Sequence, residues 1–254
     1  MMVDDSAGRR QAGISLLFAR GTRPDADAIA ALAAAAGETV GFSISHRPTE
    51  HPYWLELLAL GLTFDIQGLA PGIPADTARP LHAFALPLDE TRGYEALTVR
   101  PGPHLSAGAT LLPVVRALSA LGCELAGLPG LAAIGWEPAR TVMAPDYYRR
   151  VVSAWLKGGA FPGLGMTALV RGKDGTVGTD GLTFFIGQEM QIDPLIGESP
   201  ADTAKFALRV IHDLVENGPY SPGSVEGPGG ASLNCELMAN GNVLRIRRAG
   251  EAET

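Results

Sequence analysis

The sequence is short of the residues from which small stapled folds and metal centres are built. It has two cysteines, Cys123 and Cys235, and no CxxC pair. That argues against a disulfide framework and against a structural zinc site, so both thiols are expected to be reduced. Lysine is nearly missing, at positions 157, 173 and 205 only, and the formal net charge is −7. Binding to phosphate backbones needs clustered cations, so no nucleic-acid partner is expected. Arg245, Arg247 and Arg248 are the densest basic cluster and read as a solvated or salt-bridged strand edge. The longest apolar stretches, residues 29–36 and 57–62, fall well short of the ~20 that cross a bilayer. Met1, Met2, Val3, Asp4 and Asp5 lack a basic region followed by an apolar run. No signal peptide or membrane partner is therefore expected, and the expected location is cytoplasmic.

Familiar catalytic signatures are missing as well. There is no GxSxG, no GxxxxGK[ST] and no HExxH, and Gly172, Lys173, Asp174 and Gly175 have the spacing of a hairpin turn. The glycine-rich runs 127–135 and 158–165 lack the GxGxxG order of a dinucleotide site. No cofactor and no metal are expected.

What is present is a core. Hydrophobic residues make up 46% and charged residues 19%, the profile of a chain that folds. Arginine and alanine in excess over lysine read as the mark of a GC-rich bacterial genome. Residues 1–12 are expected to be a frayed tail. Strands are expected at 14–19, 39–45, 82–88, 95–100, 131–136 and 166–171, with 57–67 ambiguous. Helices are expected from Pro24 to about Ala36 with Gly37 as stop, from Ser106 to Gly122, from Pro145 or Asp146, and from Ser199-Pro200 with Asp202 to Asn217-Gly218. Residues 182–193 alternate and predict one strand, with Gly187 as a bulge. Asn240-Gly241 predicts a hairpin that sets Cys235 opposite Ile246, Leu237 opposite Leu244 and Glu236 opposite Arg245. The Pro/Gly-rich residues 70–80 read as a linker between an N-terminal half, 13–80, and a C-terminal half, 81–250, with one compact domain as the alternative. The expected class is α+β, with mixed or antiparallel sheets, helices on one face, and two ferredoxin-like halves sharing a core as one possible arrangement.

The second half carries a recognisable order: the strand ending in Trp136, the helix opening with Pro145, Asp146 and Tyr147, and a strand after Phe161-Pro162. The segment from Gly181-Leu182 through Gly187 and Glu189 to Ile192, the Ser199-Pro200 helix and a final hairpin follow. Over residues 80–248 this resembles the bacterial family known as domain of unknown function 4261, with its "GL…FG…E…I" strand. The insert 219–230 is longer than that pattern calls for. The resemblance implies no activity; an interaction role, linked to toxin-immunity or secretion loci, is what it suggests.

Three polar clusters stand out. Residues 46–54 gather His46, Arg47, Glu50, His51, Tyr53 and Trp54; imidazoles can shuttle protons, and loops carry function, but a solvated loop anchored by Tyr53 and Trp54 is the plainer reading. The end of the Trp136 strand brings Trp136, Glu137, Arg140, Asp146 and Tyr147 close in sequence, either a site or an ion pair and a cap. Glu189, Gln191 and Asp193 on one strand face present oxygen ligands, or a solvated face. His104 and His212 read as structural. Two functions follow: a non-catalytic binding or protein-interaction module, with a protein partner or a second copy of the chain as its occupant, or a small-molecule enzyme with His46, His51 and Glu50 as its catalytic candidates.

Overall fold

Residues Ile14–Phe18 form β1, buried along its whole length, Ser15 included, as a largely apolar run in the middle of a sheet requires. The structure is a computed structural model that describes residues 12–35, 41–51, 53–238 and 241–248. The expected tail lies outside them except for Ala12, which is buried. The chain divides into two compact units, Met1–Gly159 and Ala160–Thr254, and the class is α+β in both.

In the first unit, β1 is followed by α1 (Ala26–Ala35), β2 (Phe42–His46), β3 (Trp54–Ala59), β4 (Leu62–Gln67), β5 (His82–Phe84), β6 (Glu95–Pro101), α2 (Leu112–Leu125), β7 (Leu131–Trp136), β8 (Thr141–Met143) and α3 (Pro145–Leu156). The eight strands lie in the order β2-β3-β4-β6-β1-β7-β8-β5. Without the β2–β3 hairpin, β1-α1-β4-β6-α2-β7 runs βαββαβ with β4-β6-β1-β7 side by side. This is the ferredoxin-like arrangement. Alternation splits the sheet into two faces. One face is apolar: Leu55, Leu57, Phe64, Ile66, Leu97, Val99, Ile14, Leu16, Ile134 and Trp136 are all buried, with α2 and α3 packed on the sheet. The other face carries the polar residues described below.

Several boundaries differ from expectation for local reasons. The cap of α1 is Asp25, whose carboxylate accepts from the backbone N–H of Asp27 (3.1 Å) and Ala28 (2.9 Å); the expected stop, Gly37, lies outside the described residues. The ambiguous 57–67 is a hairpin: Leu60 (φ 51) and Gly61 (φ 78) form its two-residue loop, with Ala59 paired to Leu62. Ser106 lies in a 3-10 turn, and α2 starts after Leu111 with Pro113 in its first turn. Gly122 is inside α2, where a Cβ would come within 2.5 Å of the Tyr148 hydroxyl and 2.8 Å of Ile14 Cδ1. Residues 70–80 are no linker. Arg23, with 8% of its side chain exposed, donates to the carbonyls of Gly68 and Gly72, and Ala75 N–H donates to Ala96 O at 2.9 Å. The division therefore falls after Gly159 rather than at residue 80.

The second unit contains α4 (Gly163–Met166), β9 (Ala168–Arg171), β10 (Val177–Asp180), α5 (Thr183–Ile186), β11 (Glu189–Ile192), α6 (Pro200–Asn217), β12 (Gly223–Gly227), β13 (Ala231–Leu237) and β14 (Val243–Arg248). Its sheet order is β12-β13-β14-β11-β10-β9, with β11 and β14 parallel neighbours. No strand separates that parallel pair, so the ferredoxin-like order belongs to the first unit alone. The Ser199 side chain caps α6 by accepting from Asp202 N–H, and Phe206, Ala207, Val210, Ile211 and Leu214 form its buried stripe. The β13–β14 register is the one the hairpin pattern predicts, Cys235 opposite Ile246 and Glu236 opposite Arg245; Asn240 lies outside the described residues. Residues 182–193 are not one strand. Their first half coils into α5, with Gly187 at φ 81 closing the turn, and only Glu189–Ile192 pairs. The Gly/Pro-rich stretch 219–230 also contains a strand, β12.

Candidate functional site

The 46–54 loop joins β2, at the edge of the first sheet, to β3. His46 ends β2 and Trp54 opens β3, with ring centroids 5.5 Å apart and tilted at 40°. His46, Arg47, Glu50, His51 and Tyr53 are exposed. Arg47 pairs with Asp27 at 2.7 Å. Tyr53 lies against Gly72, whose would-be Cβ sits 2.5 Å from its Cγ, and its carbonyl accepts from Leu69 N–H at 3.1 Å. These contacts fix the loop to the sheet edge.

The register builds a different constellation on the polar face of the first sheet. His46 lies opposite Glu56, Glu56 opposite Asp65, and Asp65 opposite Arg100, so one row crosses β2, β3, β4 and β6. Gly13 and Glu137 continue it, joined by the Glu137 N–H donating to Gly13 O at 3.0 Å. A Cβ on Gly13 would overlap Glu137 Oε2 and lie 3.0 Å from its Cδ and 3.3 Å from Arg100 Cγ. Glycine thus opens the gap through which Arg100 reaches Glu137, donating from Nε (3.1 Å) and Nη2 (2.9 Å) to Oε2. This forked, charge-assisted pair is mostly buried, at 33% and 12% side-chain exposure. Burial pushes the Glu137 carboxyl above its usual range, and Arg100 offsets only part of that.

With Arg100 held by Glu137, Glu56 and Asp65 face each other as like charges on paired strands. Glu56 accepts from the Ser45 hydroxyl at 2.7 Å. The Asp65 carboxyl is raised, first by burial and then by the charge of Glu56, while His104 pulls it back. His104 Nε2 is 3.1 Å from the Thr63 hydroxyl, one strand position along the same face. Trp54 and Leu58 share this face with Glu56 by alternation on β3, and Leu58 is 39% exposed.

The second sequence cluster separates. Trp136 is fully buried on the apolar face. Arg140, at a left-handed φ of 52, donates from Nε to Arg79 O at 3.1 Å. Tyr147 stacks on Phe84 with centroids 6.4 Å apart, and Asp146 is in the first turn of α3. Only Glu137 joins the polar row.

The third cluster is spent on structure. Glu189 accepts from the backbone N–H groups of Gly181 (2.9 Å), Leu182 (3.1 Å) and Thr183 (3.1 Å) and from the Thr179 hydroxyl (2.6 Å). This internal cap is why the alternating segment breaks into a helical turn. Asp193 is clasped by Arg245 at 2.8 Å and Arg247 at 3.3 Å, and Arg247 rather than Arg245 reaches Glu236. Arg248 binds Glu198 and covers the Phe206 ring at 4.4 Å. His212 Nδ1 accepts from Phe161 N–H at 3.2 Å. Among the described residues no group of three or more His, Cys, Asp or Glu could hold a metal ion, and no helix is long and apolar enough to cross a membrane.

Set against family models, curated proteins and solved structures, the chain matches none. The sequence pattern marks the ends of the polar row, His46 and Glu137, and Trp54 beside it, but not Glu56, Asp65, Arg100 or Thr63, and it reads His104 as structural. The available signal was charge at alternate positions either side of Leu60-Gly61, legible once those residues are read as a hairpin loop.

Proposed function

We propose that this protein is a non-catalytic interaction module that docks a basic polypeptide segment on the polar face of its first sheet. The observation that carries this is the Glu56–Asp65 pair. Like charges directly opposite on paired strands destabilise a sheet, and the guanidinium beside them is already held by Glu137. A fold tolerates such a conflict most readily where a partner resolves it. A lysine or arginine side chain placed between the two carboxylates would do so, with Trp54 and Leu58 offering apolar and cation–π contact beside it. The net charge of −7 would favour approach of a basic partner. An interaction role is also what the resemblance to domain of unknown function 4261 suggests, with toxin-immunity or secretion loci as the setting.

The test is affinity capture from the native host with the wild-type chain and with Glu56→Lys/Asp65→Lys. The expected result is a basic protein retained by the wild type at low salt and lost by the double variant. A partner that binds both equally would place the interface elsewhere.

A further inference from the structure

On the same unit, residues 79–94 fold over one end of the sheet. Ala83, Leu86 and Tyr94 pack there on Leu17, Ala96, Ala133 and Val142. A cavity of about 270 Å³ opens within this segment, lined by Arg79, Pro80, Leu88, Asp89, Thr91 and Arg92 among others. Its polar and apolar parts are distinct. Pro80 and Leu88 supply apolar wall, and the Thr91 hydroxyl is already used, donating to Leu88 O at 2.7 Å. The charged lining is two guanidinium groups, Arg79 and Arg92, against one carboxylate, Asp89, a net positive set. Arg92 is paired with Asp89 at 2.8 Å, both side chains being largely exposed. Arg79 has no carboxylate within ion-pair distance among the described residues. Its backbone is fixed: its carbonyl accepts from Arg140 Nε at 3.1 Å, and Leu81 N–H donates to Arg140 O at 2.8 Å.

We propose that this cavity binds a small organic oxyanion, a carboxylate with a short apolar body, its head on Arg79 and Arg92 and its body against Pro80 and Leu88. A planar guanidinium presents parallel donors matched to a carboxylate, and exchange of Arg92 from Asp89 to the ligand costs little because that pair is solvent-exposed. The site is independent of the acidic row: it takes the opposite charge and uses none of the same residues.

The experiment follows the backbone amides of Thr91, Arg92 and Gly93 by two-dimensional NMR while the full chain is titrated with acetate, butyrate or inorganic phosphate at constant ionic strength. Butyrate should give saturable shifts confined to residues 79–94. It should bind about fifteenfold more tightly than acetate, since each of its two additional methylenes contributes a factor of about four when buried. Arg79→Ala should abolish saturation, and Arg79→Lys should weaken binding by a smaller factor. Phosphate binding as tightly as butyrate would refute the apolar-body part of the proposal. The absence of saturable shifts with any of the three anions would refute the site, as would an Arg79→Ala protein with unchanged spectra and unchanged butyrate affinity.

Discussion

Replacing Gly13 with alanine should break the Arg100–Glu137 fork without touching either charged residue. The new methyl would overlap Glu137 Oε2, so the carboxylate must swing out of the gap. Hydrogen bonds to charged groups contribute ~1.5–3 kcal/mol each, and breaking a fully buried ion pair costs about 3–5 kcal/mol. Arg100 is one-third exposed, with 33% of its side chain accessible, so solvent screens part of the loss. The expected cost is about 2 kcal/mol, or a Tm lowered by roughly 4–8 °C for a unit of this size. Urea unfolding of Gly13→Ala, Glu137→Ala and the double variant would measure it. In the Glu137→Ala background the overlap with the carboxylate is gone and the methyl's nearest remaining neighbour is Arg100 Cγ, at 3.3 Å on a flexible side chain, while a Gly→Ala change at an unstrained site stabilises by ~0.4–1 kcal/mol through the unfolded chain. Gly13→Ala should therefore be neutral or mildly stabilising there. An equal cost in both backgrounds would refute the explanation, because it would show that Gly13 is needed for something other than the gap.

Asp65→Asn should stabilise the first unit by about 0.5 kcal/mol by removing a like-charge opposition, while weakening capture of the basic partner; urea midpoints and binding measured on one preparation would check both halves. Glu189→Ala should destabilise the second unit by about 3 kcal/mol, since three backbone donors and the Thr179 hydroxyl lose their acceptor. Hydrogen exchange at Gly181, Leu182 and Thr183 would report the change, and unaltered protection would count against the cap. Glu198 is held down to about 2 by Arg248 and Thr203. Its contribution is full above the unfolded value near 4.5 and should be lost as pH falls from there toward 2, seen as faster exchange at the start of α6. Asp65 and Glu137, both raised, act with the opposite sign, favouring the folded first unit as pH falls toward their unfolded values.

Local rules in the sequence located the elements whose signals are local. The α6 cap at Ser199, the burial of Ile14–Phe18 and the β13–β14 register were all legible, because a capping hydroxyl, an apolar run and an Asn-Gly pair act over a few residues. Failures came where a distant side chain decided the backbone. The break in residues 182–193 depends on Glu189 reaching back to three N–H groups, which period-two alternation does not encode. Residues 70–80 look like a linker by composition, yet Arg23 and Ala96 hold them in place. The site was half-legible for a related reason. His46, Trp54 and Glu137 attract notice singly, but the row that unites two of them with Glu56, Asp65 and Arg100 exists only once four strands are in register. Trp136, conspicuous in sequence, is core.

The most direct test of the docking surface is a two-dimensional NMR titration of the full chain with a short Lys/Arg-rich peptide near physiological salt. Shifts concentrated at Glu56, Thr63, Asp65, Gln67 and Arg100, and abolished by Glu56→Lys/Asp65→Lys, are the predicted result. Shifts spread over both units in proportion to their exposed carboxylates, and unchanged by that double substitution, would contradict it.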